Sequence, residues 1–444
     1  MRSRFSGPLL VLFLLFSTPA FAETNPETLA AKAISVNAAE SSQAIAQLRS
    51  MGPSGLNALF KVHAEEINRQ ISNPLAAETA HWLRIKTALD AVSQQKDSYL
   101  GRLYWYTDFN QAKAEARVSG KPILSLRLLG KLSEEFSCAN SRFFRTVLYS
   151  NAEVSNRLRE QYILHWESVR PAPKVTIDFG DGRKLERTLT GNSIHYILDT
   201  EGQPIDALPG LYGPQAFLRL LGQSESLFAA LAKETKAQSE ARLRAHHRES
   251  VNKLNLAWVA DTKKIGGAIP RDFIVTRNQD GTPQAIQIPS LAITKAYSET
   301  TILRSMTAGS EKLGAITDEA AWRKIAQLHM ADAQLDAQSI GLIKRQTQRV
   351  FTAAGSKRSV DQELSSLVQK LQMNIALDTV RNEYSLHTKL HAWLVMDARR
   401  HDLPAFNNKV YAELFLTPAS DPWLGLFSAD TYVALENGGL DRLP

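Results

Sequence analysis

A central α/β layer unit set between α-helical regions is the architecture this chain predicts. Three observations point to it. Residues 104–221 alternate helix-like and strand-like stretches, the order expected of a layered α/β fold. Residues 23–100 carry apolar side chains at helical spacing, and most of the chain beyond residue 290 does so again. The full sequence has 444 residues, 44% hydrophobic and 22% charged, ordinary values for a globular chain long enough for two or three domains.

The central stretch carries the clearest local signals. Asp108 is placed to cap a helix running to about Val118, rich in alanine at 112, 114 and 116, and Gly120 is placed to end it. Pro122 then opens an apolar run from 123 to 129, bounded by Gly120 and Gly130, which suits a buried strand. Cys138, the single cysteine of the protein, stands at the start of a helix expected over 139–149. Asn151 caps the next helix, with Glu153 in its first turn and Val154 and Leu158 on one face. Strands are expected over 162–169, 194–198 and 205–208, and Gly213-Pro214 starts a closing helix. Between the strands expected over 162–169 and 194–198, residues 174–189 form two alternating runs around Gly180-Asp181-Gly182, which predicts an inserted β-hairpin. Asp178 and Asp181 lack the spacing of a calcium loop, so they read as turn residues.

The helix ending Gly120-Lys121-Pro122, the strand after it, the cysteine opening a helix, and the strand Ile197-Leu198-Asp199 before Glu201-Gly202 together resemble the thioredoxin superfamily. The resemblance implies a thioredoxin-like domain over 101–223, about a quarter of the chain. Redox members of that family carry Cys-x-x-Cys where this chain has Cys138-Ala139-Asn140-Ser141. They also place a cis-proline where this chain has Ser193. A cis bond before serine costs about 2.5–4 kcal/mol, so a trans bond is expected there. The resemblance therefore implies monothiol chemistry or none, and not a dithiol oxidoreductase.

Two readings of Cys138 follow. In one it is a nucleophile that forms mixed disulfides with an exported protein or a small-molecule thiol or disulfide, and is released by an external thiol. Ser141 would then donate a hydrogen bond to the sulfur, and Arg142 and Arg145 would favour the thiolate electrostatically. In the other, Cys138 packs as a small hydrophobe beside Phe136, Phe143 and Phe144, and the protein is a non-catalytic interaction scaffold. His165 and His195 fall on neighbouring strands, and either one beside Cys138 would make a cysteine–histidine pair. No cofactor is expected in either reading.

Residues 1–22 read as a secretory signal peptide. Arg2 and Arg4 precede an apolar run over 8–16, and Ala20-Phe21-Ala22 supplies a cleavage site. The cysteine lies far from that site, which excludes a bacterial lipid anchor. No other segment approaches 18 apolar residues, so no membrane span is expected after cleavage, and the location implied is periplasmic or secreted. The formal net charge of +7 falls to +5 once Arg2 and Arg4 are removed, too mild an excess to indicate a nucleic-acid partner.

The flanking regions read as helical. In the amino-terminal part, helices are expected over 39–50, 56–70 and 75–95, with a break at Gly52-Pro53. His63 shares a face with Leu56, Leu59, Phe60 and Ile67 and reads as a packing residue. Residues 224–255 read as a linker helix whose basic group Arg242, Arg244, His246, His247 and Arg248 lies on a solvated face. Residues 256–444 form a mainly α-helical domain. It begins with an irregular stretch over 266–290 containing a small hairpin. Helices are expected over 291–306, 318–335, 337–353, 360–373 and 376–400, and the tail over 414–439 is expected to fold back. Glu383, His387 and His391 recur every fourth residue and would share one helix face. Two histidines at that spacing can chelate zinc, but Thr388 follows His387, so the HExxH pattern is missing and a surface or interface stripe is expected instead of a metal centre.

Overall fold

The computed structural model of the protein describes residues 25–188, 191–268, 319–353, 359–396, 402–421 and 434–435. It is a mixed α/β structure in which helix dominates. The segments expected over 1–22, 273–288 and 291–306, and most of the tail, lie outside the described residues.

The centre is β1, Ile123–Leu129, every residue of which is buried. Even Arg127 lies inside, where its stem packs and its guanidinium meets the exposed Glu167. β1 runs parallel to β2 (Ile163–Arg170), with Ile123 opposite Ile163. On its other side it runs antiparallel to β5 (Ile194–Leu198), which pairs antiparallel with β6 (Pro204–Pro209). The sheet order is therefore β2-β1-β5-β6. The predicted hairpin forms as β3 (Lys174–Asp178) and β4 (Lys184–Thr188), a separate two-stranded sheet. The outer edge of β2 is covered in part by Tyr106, whose backbone bonds Leu164 and Trp166.

The helices around the sheet begin where the caps place them. α6 (Phe109–Ser119) starts at Asp108, whose carboxylate accepts from Asn110 N and Gln111 N, and ends at Gly120 in the left-handed region. α7 (Ala139–Phe143) continues into a π-turn, Phe144–Leu148, so the expected helix over 139–149 changes its winding part-way. α8 is Ala152–Gln161, capped by Asn151, and α9 is Pro214–Leu231.

The amino-terminal helices α1 (Pro26–Lys32), α2 (Ala38–Ser50), α3 (Pro53–Val62), α4 (Ala64–Ser72) and α5 (Ala80–Ser93) enclose their own core around Leu48, Leu59, Ile67, Trp82 and Leu89. A Cβ at Gly55 would lie 2.0 Å from the Leu48 carbonyl oxygen, so only glycine lets α2 and α3 approach this closely. The single helix expected over 56–70 is broken at His63. Its imidazole is buried against the Ala30 carbonyl at 3.0 Å, and its backbone leaves the helical region.

The expected linker helix over 224–255 is divided by a turn at 232–235. Its first part ends α9, and its remainder belongs to α10 (Lys236–Lys264). α10 is no solvated spacer, because His247, Val251 and Trp258 are buried along it. Beyond it come α11 (Glu319–Leu328), α12 (Ala337–Ala353) and α13 (Val360–Arg381). The break expected near residue 374 does not occur. α13 runs on into a π-turn, Asn382–His387, and then α14 (Thr388–Met396), which packs along α10. These helices share one apolar core with the sheet.

Two contacts tie distant parts of the chain together. α15 (Leu403–Lys409), a π-turn at Val410–Leu414 and the stretch to 421 fold back on the central unit. There Tyr411 donates to the Asn192 carbonyl at 3.1 Å and Arg170 donates to the Thr417 carbonyl at 3.0 Å. At the opposite side Arg345 of α12 donates to the Gln70 side chain at 2.7 Å and to its carbonyl at 2.8 Å. Leu342 enters the amino-terminal core beside it. No helix among the described residues is long and apolar enough to cross a membrane.

Candidate functional site

Cys138 leaves the end of β1 with its amide donating to the Leu129 carbonyl at 3.0 Å and becomes the first flanking residue of α7. Its side chain is 0% exposed. The sulfur lies 3.1 Å from Ser193 Oγ, at the entry to β5. The described residues contain no cis peptide bond, so Ser193 follows a trans bond as expected. Tyr149 and Tyr411 stand close by. Burial, aided by the nearby thiol, pushes both phenols well above their ordinary range.

The residues expected to support the thiol are engaged elsewhere. Ser141 Oγ donates to the Cys138 carbonyl at 2.8 Å, the ordinary local bond of a serine in a first helical turn, and not to the sulfur. Arg142 donates to Thr188 Oγ1 on the hairpin at 2.8 Å. Arg145 turns toward the loop after β1 and donates to the Glu134 carbonyl at 3.0 Å. Burial lowers its guanidinium from the usual value, and Asp97, Glu135 and Asp90 work against that. His165 faces Ser125 Oγ at 2.9 Å, and His195 faces the Tyr149 hydroxyl at 2.7 Å. The cysteine–histidine pair considered from sequence is therefore replaced by these two hydroxyl contacts. Burial takes both imidazoles down to about 3, with Arg127 contributing at His165.

A second cluster forms where the edge strand meets the carboxyl-terminal helices. β6 supplies Asp206, α10 supplies His247, and the end of the π-turn and α14 supply His387 and His391. All four are at most 4% exposed. His387 Nε2 lies 3.3 Å from Asp206 Oδ1, and His391 Nδ1 lies 3.8 Å from the same oxygen. His247 Nδ1 lies 2.9 Å from His391 Nδ1. The rings of His387 and His391 stack at 4.0 Å. Burial resists ionisation of Asp206, but the surrounding histidines outweigh it and hold the carboxyl well below the usual carboxylate range. Burial pushes His247 to about 3 and His391 well below its ordinary value.

The expected face of Glu383, His387 and His391 does not hold together. A π-turn takes more residues per turn than an α-helix, so an i, i+4 pair across it no longer aligns. Glu383 instead meets Arg219 at 3.1 Å, and Asp206 takes its place beside the two histidines. Asp206 was legible only as an acid inside the otherwise apolar run Ile205–Leu208, and His247 was absorbed into the basic group on α10. On the far side of His247 opens a cavity of about 620 Å³, lined also by Ile205, Phe228, Leu231, Leu243 and Leu394.

Comparison with known proteins returns no match to a family model, a curated protein or a solved structure.

Proposed function

We propose that this is an exported thioredoxin-like protein whose central domain serves as a binding scaffold, with the thiol face covered by the protein's own carboxyl-terminal segment. The observation that carries the reading is the burial of Cys138. Its sulfur meets Ser193, the next residue back holds Tyr411, and no part of the thiol reaches solvent. The strand order β2-β1-β5-β6, with the hairpin set aside, agrees with the family resemblance, as does the helix that Cys138 opens. In redox relatives of that fold, the loop before the third core strand faces the reactive cysteine. Here the equivalent loop is occupied by Tyr411 and Thr417, so a client disulfide would have to displace them. Fold does not fix function, and the chemistry of the site decides. Binding of a partner would then fall to the helical regions, and export would rest on the signal-like residues 1–22.

The test is the alkylation of Cys138 in the mature protein. Modification only after denaturation is the expected result. Rapid modification of the native protein, together with disulfide exchange that Cys138→Ala abolishes, would restore the monothiol reading.

A further inference from the structure

We propose that Asp206, His387 and His391, with His247 packed against His391, form a binding site for a divalent transition metal of the zinc class. The site ties the edge strand of the sheet to α10 and α14.

The argument starts from the ligand atoms. Zinc accepts imidazole nitrogen and carboxylate oxygen, and four such donors make a closed tetrahedral site. Donors about 2.0–2.1 Å from one zinc ion lie roughly 3.3–3.4 Å from one another. The separations of His387 and His391 from Asp206 Oδ1 are 3.3 and 3.8 Å, close to that edge length. Donor atoms of Asp206, His387 and His391 all fall within 4.8 Å of one another, and His247 joins them through His391.

Electrostatics point the same way. The ion pairs of Asp206 are to histidines. Among the described residues the Asp206 carboxylate meets no lysine or arginine, and a buried carboxylate is stable only when paired or metal-bound. Hydrogen bonds within the cluster leave a gap as well, because His387 Nδ1 is buried with no partner in the structure. The donors come from three separate elements, so a bound cation would act as a cross-link between them. Complete burial of the three donors suits a structural site more than one open to substrate.

The experiment uses the full mature chain without a histidine tag, stripped with a chelator and titrated with Zn²⁺ and, separately, Co²⁺. The expected result is one equivalent bound per chain and visible d–d absorption with Co²⁺. The thermal midpoint should also rise by at least about 2–4 °C in excess Zn²⁺. His387→Gln and His391→Gln should each lower the affinity by at least about 100-fold, more than outer contacts are worth. His81→Gln, an exposed histidine elsewhere, should leave it unchanged. Should the cluster variants fail to fold, the wild-type titration alone decides. The proposal is overturned if the stripped and zinc-treated wild type melt together without stoichiometric Co²⁺ absorption. It is overturned equally if folded His387→Gln and His391→Gln bind as the wild type does.

Discussion

Cys138 and the histidine cluster are buried to almost the same depth, and both sit where the sheet meets carboxyl-terminal segments. Their physics differs. Cys138 packs in the apolar core with Phe144, Tyr149 and Tyr411 and has one polar neighbour, Ser193. The cluster holds an acid that its neighbours ionise and that burial penalises. A lone cysteine can thus be fully buried, while residues from unremarkable stretches bring a carboxylate and imidazoles together.

The largest expected effect separates both regions from the sheet between them. His165 and His195 titrate normally near 6.5 when unfolded and near 3 when folded, so the unfolded chain binds more protons between those values. Stability conferred by keeping them neutral is complete above about pH 6.5 and is lost as the pH falls toward about 3. The loss is on the order of several kcal/mol for the pair. Urea unfolding at a series of pH values measures it, and a flat profile from pH 7 to pH 4 would contradict it.

The next effect concerns the cover of the thiol. Tyr411→Ala should cost about 3–5 kcal/mol, as large aromatic truncations in cores do, and should bring Cys138 within reach of an alkylating reagent. A protected thiol in a folded Tyr411→Ala protein would mean that the cover lies elsewhere. Cys138→Ala should cost only about 1 kcal/mol by loss of buried volume, and should leave metal titration as it is in the wild type. A Cys138→Ala protein with altered metal affinity would show that the two regions are coupled after all. The smallest change is expected of Ser193→Ala, about 0.5–1.5 kcal/mol for one hydrogen bond, with the thiol still protected in the native state.

The sequence was most readable where structure is dictated locally. Asp108, Gly120, Asn151 and the turn at Gly180-Asp181-Gly182 act through their own neighbours, and the elements they bound stand where expected. Helix winding was not readable. Spacing arguments assume 3.6 residues per turn, and the π-turn at Asn382–His387 breaks that assumption at the place where it was used to align Glu383 with His387. The partnership of Asp206 with His387 spans 181 positions, and no local pattern announces a contact of that range. The hydrogen bonds of Ser141, Arg142 and Arg145 go to the helix turn, the hairpin and the loop after β1, contacts that nearness to Cys138 in sequence does not announce.

The grip of Arg345 on Gln70 has a consequence for how the chain is made. The two residues are 275 positions apart, and Leu342 beside Arg345 completes the core of the amino-terminal helices. Those helices are synthesised well before Leu342, which is about 250 residues further along the chain than the end of α5. Until then they present an unfinished apolar face to whatever handles the nascent protein. The core of these helices is therefore completed long after the helices themselves have been made.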